Sequence, residues 1–179
     1  MKNPYLEKLQ KNYHLFFSGS VNIVHQKTSK FYGRLFQYKG CLVGARFLFL
    51  KGRGAVNKIL SDFTISPEKY ELVNEPELLD KNCFEFNYTF NELLVLIRNL
   101  HQEVLQSRSI RPCLKNQITV NKLSNTSSNI SLDKTEFQVL CSIIEHQYLD
   151  KIYRLSALYE PEITFALHSL KNKGLINLP

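Results

Sequence analysis

Residues 31–63 read FYGRLFQYKGCLVGARFLFLKGRGAVNKILSDF, and the apolar period changes partway through them. From Phe31 to Tyr38, and again from Cys41 to Phe49, the residues favour extended backbone, with Lys39-Gly40 supplying the turn between. In the second of these strands Val43, Ala45, Phe47 and Phe49 fall on one face, which leaves Arg46 on the other beside Gly44. Past Gly52 and Gly54 the period lengthens. Ala55, Val56, Ile59, Leu60 and Phe63 form a helical stripe, so a sheet hands over to a helix within one short stretch.

On the N-terminal side, Val21 and Ile23 add the first strand of a three-stranded meander. Before them, Leu6, Leu9 and Tyr13 have helical spacing in the segment Tyr5 to Tyr13. On the C-terminal side Pro67 and a Glu-rich stretch to Asp80 break the pattern, with strands expected at Tyr70 to Val73 and Phe84 to Tyr88. The strongest helix is expected from Thr89 to Gln106. Phe90, Leu93, Leu94, Ile97, Leu100 and Val104 form its inward stripe, which Val95 and Leu96 widen. A helix so apolar is expected to pack on more than one side or to form a homodimer contact.

Periodicity weakens from Ser107 to Asn129, where Pro112 and the polar run Ser124 to Asn129 read as a linker, with Ile118, Val120 and Leu123 hinting at a short strand. Asp133 and Glu136 have capping-box spacing, so a helix starts there with Phe137, Leu140, Cys141 and Ile144 as its stripe. Leu149, Ile152 and Tyr153 mark a second helix. Ile163, Ala166, Leu167 and Leu170 mark a third, which begins near Pro161 and stops at Gly174. With Leu175 and Ile176 closing the core, this suits a helix-turn-helix bundle.

The chain has 179 residues, 44% of them hydrophobic and 22% charged, the composition of a folded globular protein. No run approaches the length of a membrane span, and the first residues lack the order of a secretory signal, so the expectation is a cytoplasmic protein. Cys41, Cys83, Cys113 and Cys141 are too scattered for a zinc or disulfide framework. Neither metal nor cofactor is expected.

The net charge of +7 is unevenly spread: +5 over residues 1–100, +3 over 101–125 and −1 over 126–179. The positive field therefore belongs to the first half and the linker. Gly52-Arg53-Gly54 before a helix, with Arg46, Lys51, Arg53 and Lys58 around it, is the candidate anion or partner site. It lacks the G-K-[ST] ending of a P-loop. An acidic protein, a cyclic dinucleotide or an anionic membrane would each suit that charge.

For duplex DNA the entering helix would be Glu160 to Lys173, with Lys151, Arg154, Lys171 and Lys173 on phosphates, joined by Arg108, Arg111, Lys115 and Lys122 of the linker. Glu160 and Glu162 at the start of that helix oppose phosphate. The five histidines, His14, His25, His101, His146 and His168, are isolated in sequence, and no nucleophile, base and orienting group assemble from motifs. The expectation is a protein that is not an enzyme.

Two stretches resemble known families. Gly19, Gly33, Tyr38-Lys39-Gly40-Cys41-Leu42-Val43-Gly44-Ala45, the Gly52 turn, the helix with Ala55 and Leu60, and Phe90-x-x-Leu93-Leu94 together resemble the bacterial PATAN domain over roughly residues 5–106. Leu132-x-x-x-Glu136-x-x-Val139-Leu140, Leu155-x-x-Leu158 and Ile163-x-x-Ala166-Leu167-x-x-Leu170-x-x-x-Gly174-Leu175-Ile176 resemble a winged helix. The chain stops at Leu178-Pro179, where a wing hairpin would continue, so wing contacts are not expected.

The fold expected is α+β, a small antiparallel sheet packed with helices and followed by a helical module of winged-helix type. Its parts are a PATAN-like domain over 1–106, a basic polar linker over 107–130 and a winged-helix-like domain over 131–179. The PATAN resemblance implies a signalling adaptor acting through protein–protein contacts, with a regulatory or motility protein as partner. The alternative is a DNA-binding transcription regulator.

Overall fold

The computed structural model describes residues 4–65, 68–121, 130–156 and 158–178. The architecture is α+β, and the chain divides into two compact units, Met1–Gln102 and Glu103–Pro179.

The first unit is built on β1 (Gly19–His25), β2 (Phe31–Tyr38), β3 (Cys41–Phe47), β4 (Leu50–Lys51) and β5 (Tyr70–Pro76). They form one antiparallel sheet in the order β4-β3-β2-β1-β5. Two neighbouring register rows show the pleat. Leu72, Ile23, Gly33, Phe47 and Leu50 lie side by side across all five strands, and so do Val73, Asn22, Arg34, Arg46 and Lys51. Ile23 and Phe47 of the first row are buried, whereas Val73 and Lys51 of the second are exposed. The alternation read from sequence is that of a sheet with one wet face.

Helices α1 (Pro4–His14) and α2 (Gly52–Ile65) cover the dry face. Tyr5 of α1 stacks on Phe63 of α2, with ring centroids 3.9 Å apart. Phe63, Phe47, Tyr32 and His25 gather around Tyr70 at the head of β5. Deeper in, the Asn12 amide donates to Gln37 Oε1 at 2.7 Å, and Asn74 Nδ2 donates back to Asn12 Oδ1 at 2.7 Å. This buried amide network ties α1 to β2 and β5.

The Tyr5 hydroxyl does unusual service at the sheet edge. It donates to Tyr70 O at 2.8 Å and accepts from Tyr70 N–H at 3.0 Å, so it occupies the place of a sixth strand. Burial holds the Tyr5 phenol above its ordinary pKa, so it keeps its proton. Tyr5→Phe leaves both backbone groups of Tyr70 without that partner and is expected to cost about 2 kcal/mol. Urea denaturation of the two proteins measures the difference.

Several expectations change. The third strand of the meander stops at Phe47 because the backbone reverses at Leu48, where φ is +54°, and Phe49 is 62% exposed. Residues 84–88 are not a strand. A 3₁₀ turn (Lys81–Cys83) leads into a strap that crosses β3 through Glu85 N–H to Val43 O at 2.8 Å and one isolated bridge between Leu42 and Tyr88. In α3 (Phe90–Ile110), Phe90, Leu93, Leu100 and Val104 are buried, but Leu94 is exposed and Ile97 only half-buried.

The second unit contains α4 (Lys134–His146), α5 (Leu149–Leu155) and α6 (Glu160–Asn172), with a two-stranded sheet of β6 (Thr119–Val120) and β7 (Ile176–Asn177). Its core unites Ile118, Val139, Ile143, Leu149, Ile152, Ile163, Leu167, Leu170 and Ile176. Part of the stretch expected as linker thus enters this core. Lys122 and Ser124 to Asn129 lie outside the described residues.

The end of α6 follows its sequence closely. Gly174, at φ +71°, donates to Lys171 O, and Leu175 N–H donates to Leu170 O at 3.0 Å. This is the Schellman pairing that a glycine past a helix end permits.

The stripe expected on α4 is overturned at Phe137 and Ile144, while Leu140 packs against the core. Val139 and Ile143 face the core together with Glu136, whereas Phe137 and Ile144 are exposed. The capping box is present: Glu136 N–H donates to Asp133 Oδ1 and Asp133 N–H to Glu136 Oε2, each at 2.8 Å. Periodicity alone could not separate the two faces, since Phe137-x-x-x-Cys141-x-x-Ile144 and Val139-x-x-x-Ile143 are both apolar at helical spacing.

Candidate functional site

The wet face of the five-stranded sheet is assembled from alternate residues of neighbouring strands. Phe31, 50% exposed, and Val73, 43% exposed, flank the half-buried Asn22 and Arg34. The Arg34 guanidinium lies 5.5 Å from the Phe31 ring centroid and 3.8 Å from the Glu77 carboxylate. On the same face of β1, Ser20 Oγ and Asn22 Oδ1 are shielded from solvent and have no hydrogen-bond partner among the described residues. Buried polar atoms without partners are uncommon in native folds.

Arg46 sits in the same register row but is engaged within the chain. Its guanidinium donates to Glu85 Oε1 at 2.6 Å, Ala45 O at 2.9 Å and Asn82 O at 3.1 Å. It clamps the strap onto β3.

The glycine turn before α2 contains an anion of the chain's own. A Cβ at Gly52, where φ is +63°, would fall 2.8 Å from Glu85 Oε2, so the carboxylate that holds Arg46 also stands at the first turn of the helix. A carboxylate there complements the helix dipole. Lys58 pairs with Asp62 at 3.0 Å, while Lys51 and Arg53 are exposed. The four residues expected as one basic cluster are therefore divided. Arg46 and Lys58 hold carboxylates, and the other two point their charge to solvent.

Four of the expected DNA-contacting cations of the second unit are engaged, while Arg108, Lys115 and Lys151 are exposed. Lys173 holds Glu136 at 2.6 Å and donates to Ser131 O at 2.8 Å. Lys171 donates to Leu178 O at 2.9 Å. Arg154 pairs with Asp150 one helical turn away. Arg111 bonds Glu160 at 3.2 Å and lies 4.5 Å from the centroid of Tyr153. Lys151 lies 5.9 Å from the Tyr148 ring centroid, and Arg108 is exposed.

At the start of α6 the acidic character is reinforced. The Tyr159 hydroxyl bonds the Glu103 carboxylate, and burial followed by that contact pushes the phenol far above its usual range. Glu162 accepts from Tyr159 N–H at 3.1 Å, and burial raises its carboxyl pKa.

Two grooves stand apart from these surfaces. One, of about 560 Å³, follows the β5 edge and is lined by Tyr5, Lys8, Gln26, Glu68, Tyr70 and Leu72 among others. The other, of about 550 Å³, lies over β6 and β7 and is lined by Gln117, Thr119, Asn121, Lys171, Ile176 and Asn177 among others. Neither lining contains a histidine or a cysteine. Among the described residues no three metal-ligating side chains come together, and no helix is long and apolar enough to cross a membrane.

Sequence reasoning missed Phe31, Asn22, Arg34 and Val73 as a surface. The signal was available in part, since Arg34 and Arg46 each sit between apolar neighbours on an alternating strand. Their juxtaposition with Val73 required the pairing of β5 to β1. The chain matches no known protein-family model, no curated protein and no solved structure.

Proposed function

We propose that this chain is a non-enzymatic signalling adaptor that works by holding a partner protein, as its resemblance to the bacterial PATAN domain implies. The partner is a regulatory protein of the kind that governs motility or surface behaviour. The observation that carries this reading is the wet face of the first unit's sheet, where Phe31 and Val73 are exposed beside the half-buried Arg34. Exposed apolar anchors around a single arginine suit a protein surface better than a phosphate backbone.

The DNA-binding alternative loses support from the pairing of cations. Arg111, Arg154 and Lys173 are each held by a carboxylate, which would have to be displaced before they could neutralise phosphate. Fluorescence anisotropy with labelled duplex DNA, at low and at physiological salt, tests the choice. The expected result is weak binding that vanishes as salt is raised. Tight, sequence-discriminating binding at physiological salt would replace the adaptor reading with a transcription regulator that uses the second unit as a winged helix.

A further inference from the structure

Helix α4 has two apolar faces and only one core. Val139 and Ile143 are fully buried inside the second unit, while Phe137 is 58% exposed, Ile144 is 63% exposed and Cys141 is half-buried between them. Leu140 borders this outer stripe and packs partly on the core. Residues spaced i, i+4 and i+7 share one side of a helix, so the outer stripe is continuous over two turns. The exposed apolar residues of α3 straddle the division between the units, whereas α4 lies wholly within one.

Charge along α4 indicates what covers the stripe. Lys134, Gln138, Cys141 and Glu145 succeed one another at helical spacing along one flank, with the cation at the N-terminal end and the anion at the C-terminal end. Lys134 is exposed, and Glu145 is exposed with His146, at 3.8 Å, as its one ionic neighbour among the described residues. A second α4 laid antiparallel about a two-fold axis near residues 140 and 141 would bring Phe137 onto Ile144 of the other copy. The same operation brings Lys134 toward Glu145 of the other copy, at both ends at once. A parallel arrangement would put this flank on opposite sides of the seam in the two copies, so Lys134 and Glu145 would not meet, and would align the helix dipoles unfavourably.

We propose that the outer face of α4 is the seam of an antiparallel, two-fold symmetric homodimer. This goes beyond the adaptor reading and does not depend on it, because it concerns the second unit and a second copy of this chain. The stripe is smaller than the roughly 800 Å² per partner of a tight complex, so the expected affinity is micromolar. Dimerisation would double the number of wet sheet faces available to a partner and raise its avidity.

The test uses the full chain with Cys41, Cys83 and Cys113 changed to serine, so that Cys141 is the only thiol. A short bifunctional maleimide, whose two alkenes each add one thiol, is expected to yield a covalent dimer. Sedimentation equilibrium at concentrations up to about 100 µM is expected to show reversible dimers, weakened about tenfold by Lys134→Glu and recovered in the Lys134→Glu, Glu145→Lys double variant. Ile144→Glu, at a solvent-exposed position, is expected to leave a monomer with an unchanged circular dichroism spectrum. A chain that stays monomeric across that range overturns the proposal, as does a dimer that survives Ile144→Glu and gives no Cys141 adduct. Failure to dimerise leaves the DNA-binding result of the adaptor test untouched, so the two readings fail separately.

Discussion

Glu136→Gln is expected to destabilise the chain by about 3 kcal/mol at neutral pH, because it breaks an ion pair whose acidic member is buried. Glu136 is only 3% exposed, yet its carboxylate accepts from Lys173 Nζ at 2.6 Å, from Ser169 Oγ at 2.5 Å and from Asp133 N–H at 2.8 Å. These bonds, led by the one from Lys173, hold its pKa at about 2, against an ordinary 4.5. Lys173 is about one-third exposed, so losing its partner leaves that cation with water and keeps the cost at the lower end for a buried pair. Glutamine preserves the shape and an acceptor for the cap, so the variant isolates the charge.

The sign of the pH dependence follows. A group whose folded pKa lies below its unfolded value stabilises fully above the unfolded value and loses that contribution as pH falls through the folded one. Glu136 therefore stabilises above about pH 4.5 and loses its share between there and about pH 2. Glu162 runs the other way, since burial raises its pKa and protonation relieves it. Urea midpoints taken from pH 7 down to pH 3 should decline less steeply for Glu136→Gln than for the parent chain. Parallel declines would remove Glu136 as a source of acid sensitivity.

Gly44→Ala is expected to be about as damaging, at about 3 kcal/mol, for a steric reason. A Cβ at position 44 would lie 2.0 Å from the carbonyl oxygen of Cys83, in the strap that crosses β3. That contact is with backbone, so no rotamer change relieves it. The strap is fastened on both sides of the clash by Arg46 to Asn82 O at 3.1 Å and by Glu85 N–H to Val43 O at 2.8 Å. Moving it outward breaks the Arg46–Glu85 pair and withdraws the carboxylate from the start of α2. A midpoint within about 0.5 kcal/mol of the parent would show instead that the strap shifts freely.

The strands from Phe31 to Tyr38 and from Cys41 to Phe47, the helix after Gly52, the capping box at Asp133 and the stop at Gly174 were all legible in the chain. Each depends on residues a few positions apart: turn chemistry, apolar period, a carboxylate three residues from a free N–H. The same local character explains the errors. Phe49 continues the alternation but lies beyond a backbone reversal at Leu48. Phe137 and Ile144 have the helical spacing of a core stripe, yet Val139 and Ile143 take that role beside the buried Glu136. Its burial depends on Lys173, 37 positions away.

The candidate site divides in the same manner. Composition identified a basic first half and an acidic start to the last helix, because charge is a property of residues themselves. Whether a cation is available to a ligand is a property of its neighbours, and those came from afar: Glu85 to Arg46, Glu160 to Arg111, Glu136 to Lys173. The sequence by itself determined the α+β class, the helix ends and the turns, since those are local free-energy minima of short segments. Only the tertiary structure decided which helix face is buried, which charges are spent and which sheet face stays wet, because each depends on contacts between residues distant in the chain.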